Sequence, residues 1–115
     1  MAYNGWKNYE TLNVSLWLDN DQGTQSFVIK TAQQCYDDAK ADRHSTREEV
    51  ARVHLADQLK DYVEEMNPLA SDASMFSDLL GAALSEVDWY EMAEHYLADV
   101  EKEAETEEET AAVEE

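Results

Sequence analysis

The sequence predicts an all-α protein that folds as one compact domain of about five helices. Its 115 residues suit a single domain. The chain contains one proline and three glycines, and this scarcity of chain-breaking residues argues against an all-β fold, which needs many turns. Apolar residues recur at spacings of three and four along five segments, as they do in amphipathic helices. We expect the helical domain to span residues 1–104 and a disordered acidic tail to occupy residues 105–115.

The first two predicted helices lie in the N-terminal third of the chain. The first runs from about residue 9 to residue 20, behind Asn8, whose side chain can cap a backbone N–H group. The second runs from about residue 24 to residue 41. The residues expected to face the core are Leu12, Leu16 and Trp17 in the first helix, with Val14 on its flank, and Val28, Ala32, Cys35, Tyr36 and Ala39 in the second.

Three further helices follow. The third opens at the capping-box pattern Ser45-Thr46-Arg47-Glu48 and stops at Asn67-Pro68, because a residue before proline avoids the helical conformation. The fourth runs from about residue 73 to residue 84, and the fifth begins after an Asp88 cap. The residues expected to face the core are Ala51, Leu55, Leu59, Tyr62, Val63 and Met66, then Phe76, Leu79, Leu80, Ala83 and Leu84, then Trp89, Met92, Ala93, Tyr96, Leu97 and Val100.

The sequence favours a cytoplasmic location. No run of about 18 apolar residues predicts a membrane-spanning helix. No basic segment followed by an apolar one suggests a secretory signal. Cys35 is the only cysteine, so it has no partner within the chain, which fits a reducing compartment.

The charge of the chain is strongly negative and unevenly distributed. Its formal net charge is −19. Residues 1–60 carry nine acidic and seven basic side chains, whereas residues 61–115 carry eighteen acidic side chains and one basic one, Lys102. A net charge of this sign opposes direct binding to nucleic acid or to an anionic membrane and favours a basic partner.

Motifs for catalysis or metal binding are weak. Residues 19–30 resemble a calcium loop at Asp19 and Asp21 but have Thr24 and Lys30 where the loop needs glycine and glutamate. Two trios could offer metal ligands but are better explained as surface pairs: His54, Asp57 and Asp61, and Glu91, His95 and Asp99. The chain has no nucleophile elbow, phosphate-binding glycine loop or paired cysteines. We therefore expect no enzymatic activity, no metal site and no cofactor.

Acidic residues of the fourth and fifth predicted helices fall outside the apolar face, with no cation between them. They are Asp72, Asp78, Glu86, Asp88, Glu91, Glu94 and Asp99. Carboxylates three or four residues apart stand about 5–6 Å apart on a helix, and a duplex carries one charge per about 1.7 Å of its axis. A row of carboxylates on adjacent helices could imitate that charge. The competing interpretation is a solvated acidic face that serves solubility.

Two blocks of the sequence resemble a family of small acidic proteins encoded by bacteriophages and plasmids. The first is NGWKNYETLNVSLWLDNDQG and the second is LLGAALSEVDWYEMAEHYL; together they cover about a third of the chain. The family pattern has tryptophan where this chain has Leu12, and asparagine where it has Asp88. The family has no assigned function, so the resemblance supplies no catalytic residues. It implies a mobile-element context, in which small acidic proteins are often counter-defence factors.

The function expected from charge and resemblance is inhibition by nucleic-acid mimicry. The seven acidic residues would occupy the DNA- or RNA-binding groove of a basic host protein, such as a CRISPR effector, a restriction enzyme or a DNA-processing enzyme. A homodimer is left open. The alternative is an acidic accessory protein whose charge serves solubility, and a metal-binding protein comes third.

Overall fold

Five helices make up the part of the chain that the structure describes. The structure is a computed structural model that describes the backbone of residues 3–114 and the side chains of residues 3–104. The helices are α1 (Tyr9–Asn20), α2 (Gln22–Asp38), α3 (Arg47–Glu65), α4 (Met75–Ser85) and α5 (Trp89–Glu114). No strand occurs in residues 3–114, which confirms the all-α prediction. The predicted disordered tail, residues 105–115, lies outside the described side chains and stays a prediction.

The predicted caps of α1 and α5 are confirmed. Asn8 Oδ1 accepts a hydrogen bond from the Thr11 backbone N–H at 2.9 Å, and Asp88 Oδ1 accepts one from the Glu91 N–H at 2.9 Å. Each cap satisfies a donor that the first turn of a helix leaves without a partner. These two caps therefore fix where α1 and α5 begin.

The caps of α2 and α3 differ from a simple interpretation of the sequence. A single residue, Asp21, separates α1 from α2, and its carboxylate caps the start of α2 through Gly23 N at 2.9 Å. This geometry leaves no twelve-residue calcium loop. At α3 the cap is Thr46 rather than Ser45, because Thr46 Oγ1 accepts from the N–H of Glu49. The helix therefore starts one residue later than predicted, with a single cap in place of the predicted capping box.

The core is formed by α2, α3 and α5, which make the most extensive contacts with one another. Every core residue predicted for α2 is buried, as are Leu55 and Leu59 on α3 and Met92 and Leu97 on α5. Met66 was also expected to face the core, but it is 48% exposed. The Arg52 guanidinium on α3 also pairs with Glu101 on α5 at 3.0 Å. No described helix is both long enough and apolar enough to cross a membrane.

Helix α1 packs with the opposite face from the one predicted. Its buried residues are Thr11, Ser15 and Leu18, whereas Leu16 is exposed and Trp17 is 72% exposed. The expectation that Leu16 and Trp17 face the core is therefore wrong, and Leu12 is only half-buried.

Hydrogen bonds explain why two small polar residues occupy the inner face of α1. Thr11 Oγ1 donates to Asn8 Oδ1 at 2.6 Å and accepts from the backbone N–H of Asp88 at 2.9 Å. Ser15 Oγ donates to the Leu12 carbonyl at 2.7 Å. A buried hydroxyl with its bonds satisfied carries little penalty. The Thr11 hydroxyl therefore joins the start of α1 to the start of α5.

The prediction for α4 is also wrong in its packing. The helix exists, and a Ser74–Ser77 capping box starts it, but none of its residues is fully buried. Phe76 is 65% exposed and Leu79 is 61% exposed, although both were expected to face the core. Only its inner side, which includes Leu80 and Leu84, is half-buried. Helix α4 therefore lies on the surface with an apolar outer face.

A matched pair of leucine substitutions tests this difference in packing. Leu59→Ala removes a fully buried side chain from α3, and we expect the free energy of unfolding to fall by about 2–5 kcal/mol. Leu79→Ala makes the same change on the exposed face of α4, and we expect a loss of less than about 0.5 kcal/mol. Urea unfolding followed by circular dichroism measures both. Equal losses would mean that α4 is packed into the core.

The buried Thr11 hydroxyl provides a second test. Thr11→Val keeps the shape of the side chain but leaves the Asp88 N–H without its acceptor, so the free energy of unfolding should fall by about 1–3 kcal/mol. Thr31→Val is the control, because Thr31 is also buried but its hydroxyl has no hydrogen bond to the described residues. If both variants unfold at the same urea concentration, the Thr11 hydroxyl does not stabilise the fold.

Candidate functional site

An acidic groove runs between the end of α1, the outer side of α2 and the middle of α5. Its volume is about 510 Å³. The residues that line it are Asp19, Gln25, Ile29, Gln33, His95, Tyr96, Asp99, Val100 and Glu103. Three carboxylates, two amides and no Lys or Arg side chain line this groove, so its chemistry suits a positively charged group.

Tyr96 holds one wall of the groove in place. Its hydroxyl donates a hydrogen bond to Asp19 Oδ1 at 2.9 Å and so joins α5 to the end of α1. Burial raises the pKa of the Tyr96 phenol, and the negative charge and hydrogen bond of Asp19 raise it further. The phenol therefore stays a neutral hydrogen-bond donor to Asp19.

The His95 ring packs against two aromatic side chains. Its ring lies 5.0 Å from the Trp6 ring and 5.5 Å from the Tyr96 ring, measured between centroids. Trp6 therefore packs the N-terminal segment onto α5, whereas Tyr9 is exposed. Among the described residues, no three His, Cys, Asp or Glu side chains form a group that could hold a metal ion.

Two of the seven predicted partner-binding residues have structural roles. Asp88 caps α5 and lies 3.9 Å from the Lys7 ammonium group. Glu91 Oε1 accepts a hydrogen bond from the Lys7 backbone N–H at 3.0 Å. Removing either charge would disturb the attachment of the N-terminal segment to α5.

The other five predicted residues present exposed carboxylates with no hydrogen bond or ion pair to the described residues. Asp72 lies in the loop before α4, Asp78 in the first turn of α4, and Glu86 at the end of α4. Glu94 lies on the outward side of α5, and Asp99 lines the acidic groove. The predicted set is therefore distributed over α4, its flanking loops and α5, and only Asp99 belongs to the groove.

The sequence did not identify Asp19 or Glu103 as groove residues. Asp19 is 77 positions from Tyr96, and no local spacing indicates that the two side chains meet. Glu103 precedes the predicted acidic tail and was assigned to no site. Nothing in the local sequence distinguishes a helical glutamate that lines a groove from one that only faces solvent.

Cys35 does not act as a nucleophile in this arrangement. It is buried in the core, where Gln58 Nε2 lies 3.5 Å from its sulfur. Burial raises the pKa of the thiol, and the nearby Asp38 charge raises it further. A buried thiol with a raised pKa has little thiolate to react.

Comparison with known proteins identifies the family of this chain. A model of a family of unknown function, DUF7249, matches residues 1–110, so the chain belongs to that family. No curated protein and no solved structure gives a significant match.

The tyrosines offer a test of the groove geometry. Because the folded pKa of Tyr96 is raised, its contribution to stability is fully present below the unfolded tyrosine pKa of about 10 and is lost as the pH rises above it. We expect a titration of tyrosinate absorbance to show that Tyr96 ionises late. Tyr96→Phe should lower the amplitude of the late step by one tyrosine. A late step of unchanged amplitude in Tyr96→Phe would contradict the Tyr96–Asp19 bond.

Proposed function

We propose that this protein is a non-catalytic inhibitor, encoded by a phage or a plasmid, that occupies the nucleic-acid-binding groove of a basic host protein. The partner class is a CRISPR effector, a restriction enzyme or a DNA-processing enzyme of the host cytoplasm. The observation that carries the proposal is the concentration of charge: residues 61–115 have eighteen acidic side chains and one basic one. The resemblance of the two sequence blocks to proteins of mobile elements supports the origin.

The spacing of carboxylates along α5 determines how closely this helix can imitate a DNA strand. Glu91, Glu94 and Asp99 span eight residues of α5, or about 12 Å at 1.5 Å per residue. They supply one carboxylate per about 6 Å, against one phosphate per about 3.4 Å along a DNA strand. One helix therefore reaches roughly half the charge density of one strand. To approach the charge density of a DNA strand, the protein therefore also needs the carboxylates around α4.

Helix α4 adds apolar contact to this acidic surface. Its exposed Phe76 and Leu79 lie between the carboxylates of Asp72, Asp78 and Glu86 along the chain. Interfaces between proteins commonly have an apolar centre inside a polar rim. We propose that the rim steers the inhibitor to a basic groove and that the apolar residues slow its release.

The acidic groove would accept a cationic side chain of the same partner. Asp19, Asp99 and Glu103 surround a space with two glutamine amides, which suits the several N–H donors of an arginine. Such a contact would add a directional component to an attraction that is otherwise set by net charge.

A second candidate function is an acidic accessory protein whose charge serves solubility. The exposed apolar faces of α1 and α4 favour it, because such faces mark contacts with other chains. This candidate predicts that exposed carboxylates can be neutralised with little effect on partner binding.

The proposal is tested by capture and competition. The tagged full chain is incubated with host lysate, captured proteins are identified, and excess duplex DNA is added. We expect the captured protein to bind nucleic acid and to be displaced by the duplex, since both ligands occupy one groove. The Kd should also rise steeply with salt. Capture that persists unchanged in excess duplex would refute occlusion.

Matched charge variants separate a specific surface from net charge. Asp78→Asn with Asp99→Asn removes two charges from the proposed surface, and we expect the Kd for the captured partner to rise at least about tenfold, or about 1.4 kcal/mol. Asp38→Asn with Asp57→Asn removes two exposed charges from α2 and α3 and should change the Kd by less than about threefold, or 0.7 kcal/mol. A small effect of both pairs would favour the accessory-protein function, whereas equally large effects would mean that net charge, and not this surface, sets the affinity.

A further inference from the structure

A small cleft lies where the end of α1, the start of α2 and the end of α3 meet. Its volume is about 270 Å³, and most of its lining is apolar. The residues that line it are Trp17, Leu18, Asn20, Asp21, Thr24 and Met66. Pockets that hold a whole small molecule have volumes of about 300–1,000 Å³, so this cleft suits a single side chain of another molecule.

Trp17 gives the cleft an exposed aromatic wall. The inner side of α1 carries Thr11, Ser15 and Leu18, so the indole of Trp17 takes no part in the core and is 72% exposed. The face of an indole attracts a cation that lies within about 6 Å of the ring centroid, and arginine is the protein cation found there most often. Tryptophan is also enriched among the side chains that dominate binding energy.

Asp21 places a carboxylate in the same cleft as the indole. Its Oδ1 atom accepts a hydrogen bond from the Gly23 backbone N–H at 2.9 Å and so caps α2. Its Oδ2 atom has no hydrogen bond or ion pair to the described residues. No Lys or Arg side chain lines the cleft. Asp21 therefore has one carboxylate oxygen that can accept from a cationic donor while the cap of α2 stays in place.

The charge around the cleft indicates what binds in it. Residues 8–29 carry three acidic side chains, Glu10, Asp19 and Asp21, and no Lys or Arg. A second copy of this chain would bring the same carboxylates to the contact, and like charges at short range oppose association. An acidic ligand is opposed for the same reason. A cationic side chain is the occupant whose charge complements the cleft.

We infer that the cleft binds one arginine side chain of a basic protein partner. The planar guanidinium lies on the face of Trp17 and donates to Asp21 Oδ2 and to the side-chain oxygen of Asn20, while the apolar stem contacts Met66. Lysine has no planar group that could stack on the indole.

This contact lies outside the surface around α4 and α5 and outside the acidic groove, since only Asn20 and Asp21 of the cleft lie near Asp19 in the chain. The inference rests on the proposed function only for the basic character of the partner. A single side chain in an open cleft binds weakly, so the contact adds selectivity for arginine to a complex that other residues hold together.

An NMR titration of the full chain with three tripeptides, blocked at both ends, tests the inference. Their central residues are arginine, citrulline and leucine; citrulline has nearly the shape of arginine without its charge. We expect the arginine peptide to shift the indole N–H signal of Trp17 and the methyl signal of Met66, with a Kd at least about threefold lower than that of either other peptide. The methyl signal of Met75, which is exposed on α4, is the control and should not follow the same titration.

Two single variants separate the parts of the site. Trp17→Leu keeps an apolar side chain without an aromatic face, and Asp21→Asn removes the charge but keeps an oxygen that can cap α2. Each should raise the Kd of the arginine peptide, read from the Met66 methyl signal, at least about threefold, while the circular dichroism spectrum stays that of the wild type. Asp57→Asn removes an exposed charge from α3 and should leave that Kd unchanged.

Three results would overturn the inference. The first is a leucine or citrulline peptide that binds as tightly as the arginine peptide, since the cleft would then be a plain apolar site. The second is an equal effect of Asp57→Asn and Asp21→Asn, which would assign the attraction to net charge. The third is a shift of the Trp17 and Met66 signals with protein concentration alone, which would assign the cleft to a second copy. None of these results alters the outcome of the capture and competition test.

Discussion

The structure depends on one connected set of hydrogen bonds where three helix ends meet. Asn8 caps α1 with its side-chain oxygen and donates from its amide nitrogen to the Glu86 carbonyl at the end of α4, at 2.6 Å. Thr11 bonds to Asn8 and accepts from the backbone of Asp88, which caps α5. The cap of α1 is thus hydrogen-bonded to the end of α4 and, through Thr11, to the residue that caps α5. This junction fixes which side of α1 faces inward, and therefore which side faces the solvent.

The two apolar surfaces of the protein follow from that junction. With Thr11, Ser15 and Leu18 turned inward, Tyr9, Leu16 and Trp17 remain outside. With Glu86 held at its C-terminal end, α4 lies against the rest of the fold without inserting Phe76 or Leu79. The exposed apolar area is a consequence of how the helices are joined.

Sequence patterns predicted the helices well and their outward faces poorly. The bounds of α1 and the caps of α1 and α5 could be predicted because they depend on residues within a few positions of each other. The core of α2, α3 and α5 could be predicted because each helix has one dominant apolar stripe. Helix α1 has an apolar side and a side of small residues, and periodicity alone does not say which is buried. That choice depends on Asp88 and Glu86, 77 and 78 positions away from their partners. The acidic groove could not be predicted for the same reason, because Asp19 and Tyr96 meet only through the tertiary fold.

Helix α4 is stabilised mainly by its own backbone hydrogen bonds and its capping box, since it has no fully buried side chain. Opening it exposes little new apolar surface and leaves the α2–α3–α5 core intact, so the free energy of that local opening is a small part of the global value. Helix α4 is therefore a separate unit of local unfolding within the domain. Its C-terminal end is the exception, because the Glu86 carbonyl accepts from Asn8 and so couples this unit to the start of α1.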